Sequence, residues 1–210
     1  MVYELKKYYS QADIEQKGEI TTAVWETAKP MDDDNLKICG RLITYVGDDE
    51  TAAIPDGVEV LARHFMTDPD WLSETEYVYI PASVVKIEEG AFAGTAVSEL
   101  RIDPQSPCGI VRDGGLYTKD GKTLLWILES NSETEDGDEM FAVAEGTERL
   151  AEECFREDLI DVMYVPASVK EIGFDETNLK NLFKTTIRAP RGAYALTFAA
   201  HFFIRHKITD

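Results

Sequence analysis

Side chains that do chemistry are scarce in this 210-residue chain, which holds three histidines and three cysteines. His201 and His206 are five positions apart, so on a helix their rings diverge by about 140° and cannot hold one metal ion from one face. His64 stands beside Phe65 in the segment ARHFM, a setting that suits packing better than catalysis. No histidine has a nucleophile or carboxylate partner recognisable in the sequence around it. Cys39, Cys108 and Cys154 are scattered and form no C-x-x-C pair. Reduced thiols are the simplest account, with a Cys39–Cys108 bridge as the alternative, and Cys154 reads as a small core residue before Phe155. The acidic stretch Glu133–Glu139 lacks the order of a calcium loop. Nucleophile-elbow, zinc-protease, phosphate-loop and dinucleotide motifs are absent from the sequence. The expectation is a protein that is not an enzyme, with no cofactor and no metal site.

Binding is better supplied. Tyr77, Tyr79, Arg101 and Tyr164 occupy alternate positions of strand-like segments, with Val162, Met140 and Glu99 among them. Tyrosine and arginine are the side chains that carry most interface energy, because each offers a large rigid surface with a polar tip. The competing account is that Tyr and Val are simply good strand formers on an open sheet.

These residues are positioned by a repeat. The segments beginning IPDGV at Ile54, IPASV at Ile80, VAEGT at Val143 and VPASV at Val165 share one register, with shorter echoes at Ile102 and Ile187. The intervals are 26, 22, 41, 22 and 22 residues, the signature of stacked coils that cannot bury their faces singly. Within YVYI, Val78 and Ile80 alternate with Tyr77 and Tyr79, which makes one face apolar. Pro81 has no N–H for the ladder and ends the strand. Phe65-Met66, Ala91-Phe92 and Cys154-Phe155 fall at equivalent corners and are expected in the core. Strands at Tyr77–Ile80, Glu99–Ile102, Phe141–Val143, Val162–Val165 and Thr185–Arg188 should then lie parallel in one sheet. Tyr79 and Arg101 would sit side by side about 4.8 Å apart, within reach of a cation–π contact, and Tyr164 would follow across Ala142.

The pattern apolar-Pro-x-Ser-Val, then an aliphatic three residues on and Ala-Phe beyond it, resembles the BspA-like bacterial leucine-rich repeat. The stretch IDPQSPCGIVRDGGLYTKDGKTLLWIL is similar to a hairpin insertion of that family, and APRGAYALTFAAHFF to its closing segment. The likeness covers about residues 36–205. It departs at Ala144, where proline is expected, and at Asp175-Glu176-Thr177, where Gly-Ala-Phe is expected. It implies a leucine-rich-repeat solenoid, a right-handed and β-rich β/α superhelix with a parallel strand stack, hairpin insertions and helical end caps. Many members of that family are surface or secreted proteins.

The remaining sequence fills in that plan. Residues 1–35 read as a helical cap or appendage, with a helix from about Gln11 to Ala28 behind a Ser10 cap, and residues 36–210 as the repeat domain. Hairpins are expected at about 36–53, turning at Gly47-Asp48-Asp49, and at about 108–128, where Trp126 should be buried. Tyr194, Phe198 and Phe202 at i, i+4, i+8 predict a lid helix over about 193–204, with Arg205, His206 and Lys207 at its negative end. An excess of aromatics there would form a homodimer contact. A net charge of −19 disfavours nucleic acid and anionic lipid partners. No apolar run suits membrane insertion and no secretory leader is seen, so the chain as written reads as cytoplasmic, or as secreted or cell-surface if a leader was removed. The function expected is a protein-interaction module with a protein, or a glycan, as partner. The alternative is a structural, self-associating protein.

Overall fold

The in-and-out alternation of Tyr77–Ile80 survives in three dimensions: Val78 and Ile80 are buried, and Tyr77 and Tyr79 face out. A computed structural model describes residues 22–26, 40–46, 50–54, 56–66, 75–155, 159–174 and 176–209. It divides into two units, Met1–Pro107 and Cys108–Asp210.

In the first unit the strands are β1 (Thr22–Glu26), β2 (Gly40–Val46), β3 (Thr51–Ala53), β4 (Val58–Leu61), β5 (Tyr77–Ile80), β6 (Lys86–Ile87) and β7 (Glu99–Ile102). They form two sheets, ordered β1-β2-β4-β6 and β3-β5-β7. Each coil therefore lays one strand in each sheet, and successive coils pair in parallel: Tyr77 with Glu99, Val78 with Leu100, Tyr79 with Arg101. That is a parallel β-solenoid. Its interior is filled by Ala52, Val78 and Leu100 from one sheet, Val58, Leu61 and Ile87 from the other, and Phe65, Met66 and Phe92 at the corners. The rings of Phe65 and Phe92 meet edge to face at 5.5 Å.

The second unit contains β8 (Ile110–Arg112), β9 (Gly115–Tyr117), β10 (Thr123–Ile127), β11 (Ser132–Glu133), β12 (Glu139–Ala142), β13 (Arg149–Leu150), β14 (Val162–Tyr164) and β15 (Glu171–Ile172). Helix α1 (Glu176–Lys184), β16 (Thr186–Pro190), helix α2 (Tyr194–His201) and β17 (His206–Thr209) complete it. Its sheets run β15-β13-β10-β9-β8 and β11-β12-β14-β16-β17. The expected hairpin insertion is the antiparallel meander β8-β9-β10, whose last strand pairs in parallel with β13. Trp126 is buried within it, as is Phe155 at the corner with Cys154. Here too the coils make a parallel β-solenoid, with Phe141 level with Met163.

One backbone feature recurs through both units. Ten residues after Ile54, Ile80 and Val143 stand His64, Gly90 and Glu153, and all three have positive φ, 59°, 71° and 55°. The coil turns its corner there in the left-handed conformation, which glycine adopts without strain. His64 is thereby explained as a corner residue whose N–H donates to the Gly90 carbonyl at 3.0 Å.

Several expectations are corrected. The strands do not share one sheet: β5 and β7 belong to one, and β12, β14 and β16 to another. The hairpin over 36–53 does not form, because β2 and β3 lie in different sheets, and β2 pairs antiparallel with β1 instead. Residues 47–49 and Cys39 lie outside the described residues. The helix expected through Ala28 gives way to β1 at Thr22–Glu26; TAVWE is rich in β-branched and aromatic residues, which fit a pleated surface. The rest of that helix lies outside the described residues. In the last coil, Met163 pairs with Ile187, a spacing of 24 and not 22. The cause is α1, which replaces a turn where Gly-Ala-Phe is missing. Finally, α2 ends at His201, and His206 and Lys207 enter β17 instead of neutralising the helix end. The face that α2 buries is Ala195, Phe198 and Ala199, while Tyr194 is exposed.

Candidate functional site

The outer face of β3-β5-β7 is organised by register. Parallel pairing sets Thr51, Tyr77 and Glu99 in one row, and Ala53, Tyr79 and Arg101 in the next. The rows exist because Ala52, Val78 and Leu100 are drawn inward, and a period of two then sends their neighbours out. Tyr77 is 36% exposed and Tyr79 42%. With Thr51, Val78, Glu99 and Arg101 they line a half-open cleft of about 310 Å³.

Polar contacts hold the cleft in shape. The Tyr79 hydroxyl donates to Asp103 Oδ2 at 3.2 Å. The Arg101 guanidinium turns along its own strand and donates through Nε to Glu99 Oε1 at 2.8 Å. Partial desolvation, the hydrogen bond to Asp103 and the negative charges of Asp103 and Asp56 all raise the Tyr79 phenol above its ordinary range. It stays neutral, a hydrogen-bonding tip on an apolar ring. Glu50 and Glu76 precede β3 and β5, and the Glu50 carbonyl accepts from the N–H groups of both Glu76 and Tyr77. The face is thus aromatic at its centre and anionic at its ends.

Of the four residues expected to bind, the structure brings together Tyr77, Tyr79 and Arg101. Tyr164 lies in β14 of the other unit, half-buried, in register with Ala142 and Arg188. Thr51, outside the expected binding set, joins them in the cleft because it stands two positions before Ala53 on the outward face of β3. Among the described residues no cluster of three or more His, Cys, Asp or Glu could hold a metal ion. No helix among them is long and apolar enough to cross a membrane.

Strand register defines the class: a parallel β-solenoid repeat architecture in each unit. No protein-family model matches the sequence, and no curated protein matches it. Solved structures with some likeness include a leucine-rich repeat protein from Eubacterium ventriosum, at 12% identity and TM-score 0.47 over 67% of this chain and 42% of that one. A leucine-rich cell surface protein from Faecalibacterium prausnitzii gives 16% identity and TM-score 0.35 over 77% and 41%. The pneumococcal vaccine antigen PcpA gives 12% and 0.29 over 74% and 67%. The chain spans about two fifths of the length of the first two.

Proposed function

We propose that this chain is a leucine-rich repeat protein of the BspA-like kind, and that it acts as a non-catalytic module binding a protein partner through the β3-β5-β7 face. The observation that carries this reading is the pair of exposed tyrosines on one strand, Tyr77 and Tyr79, beside Arg101 in a shared cleft. A stacked sheet is rigid, so these rings lose little freedom on binding, and rigid aromatics are the usual anchors of an interface. At about 310 Å³ the cleft is at the lower limit for a small-molecule site. It better suits one or two side chains of a larger partner, which would cover roughly 800 Å². Peptide display against the immobilised protein tests the reading. Enriched clones should bind Y77A/Y79A more than about tenfold more weakly, given the hot-spot energies of buried tyrosines. Equal binding to the double variant would sink it.

Self-association is the second reading, and it has its own observation. Phe174, Phe198 and Phe202 form an aromatic cluster beside α2, with Phe174 and Phe202 at 4.5 Å. Tyr194 and Phe203 stand exposed next to it, Phe203 at 90%. Light scattering that reports a dimer abolished by F203S would favour this reading, and a monomer at high concentration would remove it.

A further inference from the structure

The chemistry surrounding the tyrosine cleft specifies the kind of segment that would fill it. We infer that the occupant is an extended lysine- or arginine-bearing segment of a partner protein, its cationic side chain seated against the Tyr77 and Tyr79 rings. The inference rests on the reading of this face as a binding surface and adds the partner's charge.

Three features of this face converge. Tyr77 and Tyr79 are two positions apart on β5, so their ring bases stand roughly 6.8 Å apart on one face. That gap is the width of one narrow side chain, and both rings line the cleft and are open to solvent. The local cation does not compete for the rings, because Arg101 is held by Glu99. With that pair neutralised, the uncancelled charges at the ends of these strands, among the described residues, are Glu50, Asp56, Glu76 and Asp103. All four precede or follow the strands of this sheet within three residues. Asp103 is brought to the ring itself, its Oδ2 accepting from the Tyr79 hydroxyl at 3.2 Å. An anionic rim around an aromatic centre attracts cations at long range and holds them by the quadrupole at short range. An acidic or phosphorylated segment would be repelled by the same rim.

The test is a fluorescence-anisotropy titration of the full chain with dye-labelled octalysine, octaglutamate, a neutral Gly-Ser octapeptide and a neutral oligosaccharide. Three variants are compared with the parent: Y77A/Y79A, which keeps the charge; D56N/D103N, which removes two charges at the cleft; and E135Q/D136N, which removes two from an exposed loop of the other unit. Octalysine should bind the parent, about tenfold more weakly to each of the first two variants, and within about twofold of the parent to the third. Circular dichroism melts check that each variant is folded. Equal losses in D56N/D103N and E135Q/D136N would reduce the attraction to the bulk charge of the chain and overturn the inference. If octaglutamate, the neutral peptide or the sugar binds in a tyrosine-dependent manner and octalysine does not, the cationic partner is wrong while the binding face stands. If no probe depends on Tyr77 and Tyr79, both fail. Tyrosine-dependent self-association that octalysine cannot displace would make a second copy the occupant, which also overturns the inference.

Discussion

The two units build the same coil and finish it differently. In the first, the outer rows of β3-β5-β7 carry tyrosines open to solvent, bordered by carboxylates. In the second, the matching positions are Met140, Val162 and Thr186 in one row of β12-β14-β16, and Ala142, Tyr164, Arg188 and Lys207 in the next row of β12-β14-β16-β17. Val162 is only 3% exposed, Tyr164 is half-buried, and the second row ends in the cations Arg188 and Lys207. A repeat therefore fixes which way a side chain points but not what that side chain is. Inward positions are held to apolar residues by the cost of burial, while outward positions are free to differ.

The corners show a related contrast. Phe65 and Phe92 meet edge to face across successive coils in the first unit, where the second places Cys154 and Phe155. Where Pro81 closes a strand of the first unit, the second has Ala144, whose N–H donates to the buried Tyr117 hydroxyl at 3.2 Å. Proline has no hydrogen to give, so the departure from the repeat is a requirement of the insertion. Burial is the main cause that lifts the Tyr117 phenol above its ordinary range.

Substitutions at these places would sharpen or break the contrast. The largest effect is expected for Phe92→Ala, about 3–5 kcal/mol of unfolding free energy in urea. Phe155→Ala should fall at the low end of that range, because Phe92 also loses its ring partner. A reversed order would mean that the corner ring pair contributes nothing special to the first unit. Gly90→Ala should cost about 1–2 kcal/mol, the strain of a left-handed residue bearing Cβ. Tyr117→Phe should cost about 1 kcal/mol by leaving the Ala144 N–H without its acceptor. Removing the same oxygen in the first unit, Tyr79→Phe, should leave the melting temperature unchanged because that ring is open to water.

A small effect concerns acid. Partial burial raises the Glu88 carboxyl, but hydrogen bonds from Arg41 at 2.7 Å and from the Arg63 N–H at 3.1 Å outweigh it, with the Arg41 and Lys86 charges, and its pKa ends below the ordinary range. A depressed carboxylate stabilises the fold above its unfolded pKa and loses that contribution as the pH falls through the folded one. Glu88→Gln should therefore lower the melting temperature slightly at neutral pH and flatten its decline below the usual glutamate range. An unchanged acid limb would show that the exposed part of this pair is screened by solvent.

Much of this was legible in the chain itself. A period of two inside YVYI, a proline after it and a recurrence every 22 residues specify an apolar row, its end and its stacking partner, so the pairing of Tyr79 with Arg101 and the burial of Phe65, Met66, Phe92 and Phe155 follow. Those features depend on local sterics and on the cost of exposing apolar area, both of which act residue by residue. What the tertiary structure alone decided was membership: which sheet takes each strand, and which neighbours share a face. β2 and β3 are strands of seven and three residues separated in the sequence by the acidic segment Gly47-Asp48-Asp49-Glu50, and nothing in that string distinguishes folding back from crossing to the opposite sheet. The choice lies in long-range pairing of β2 with β1 and β4, and of β3 with β5. For the same reason Tyr164 shares the register logic of Tyr79 without sharing its cleft, and α1 could lengthen one coil by two residues while keeping every inward side chain inward. An even insertion preserves the side-chain period, so the pattern is blind to it.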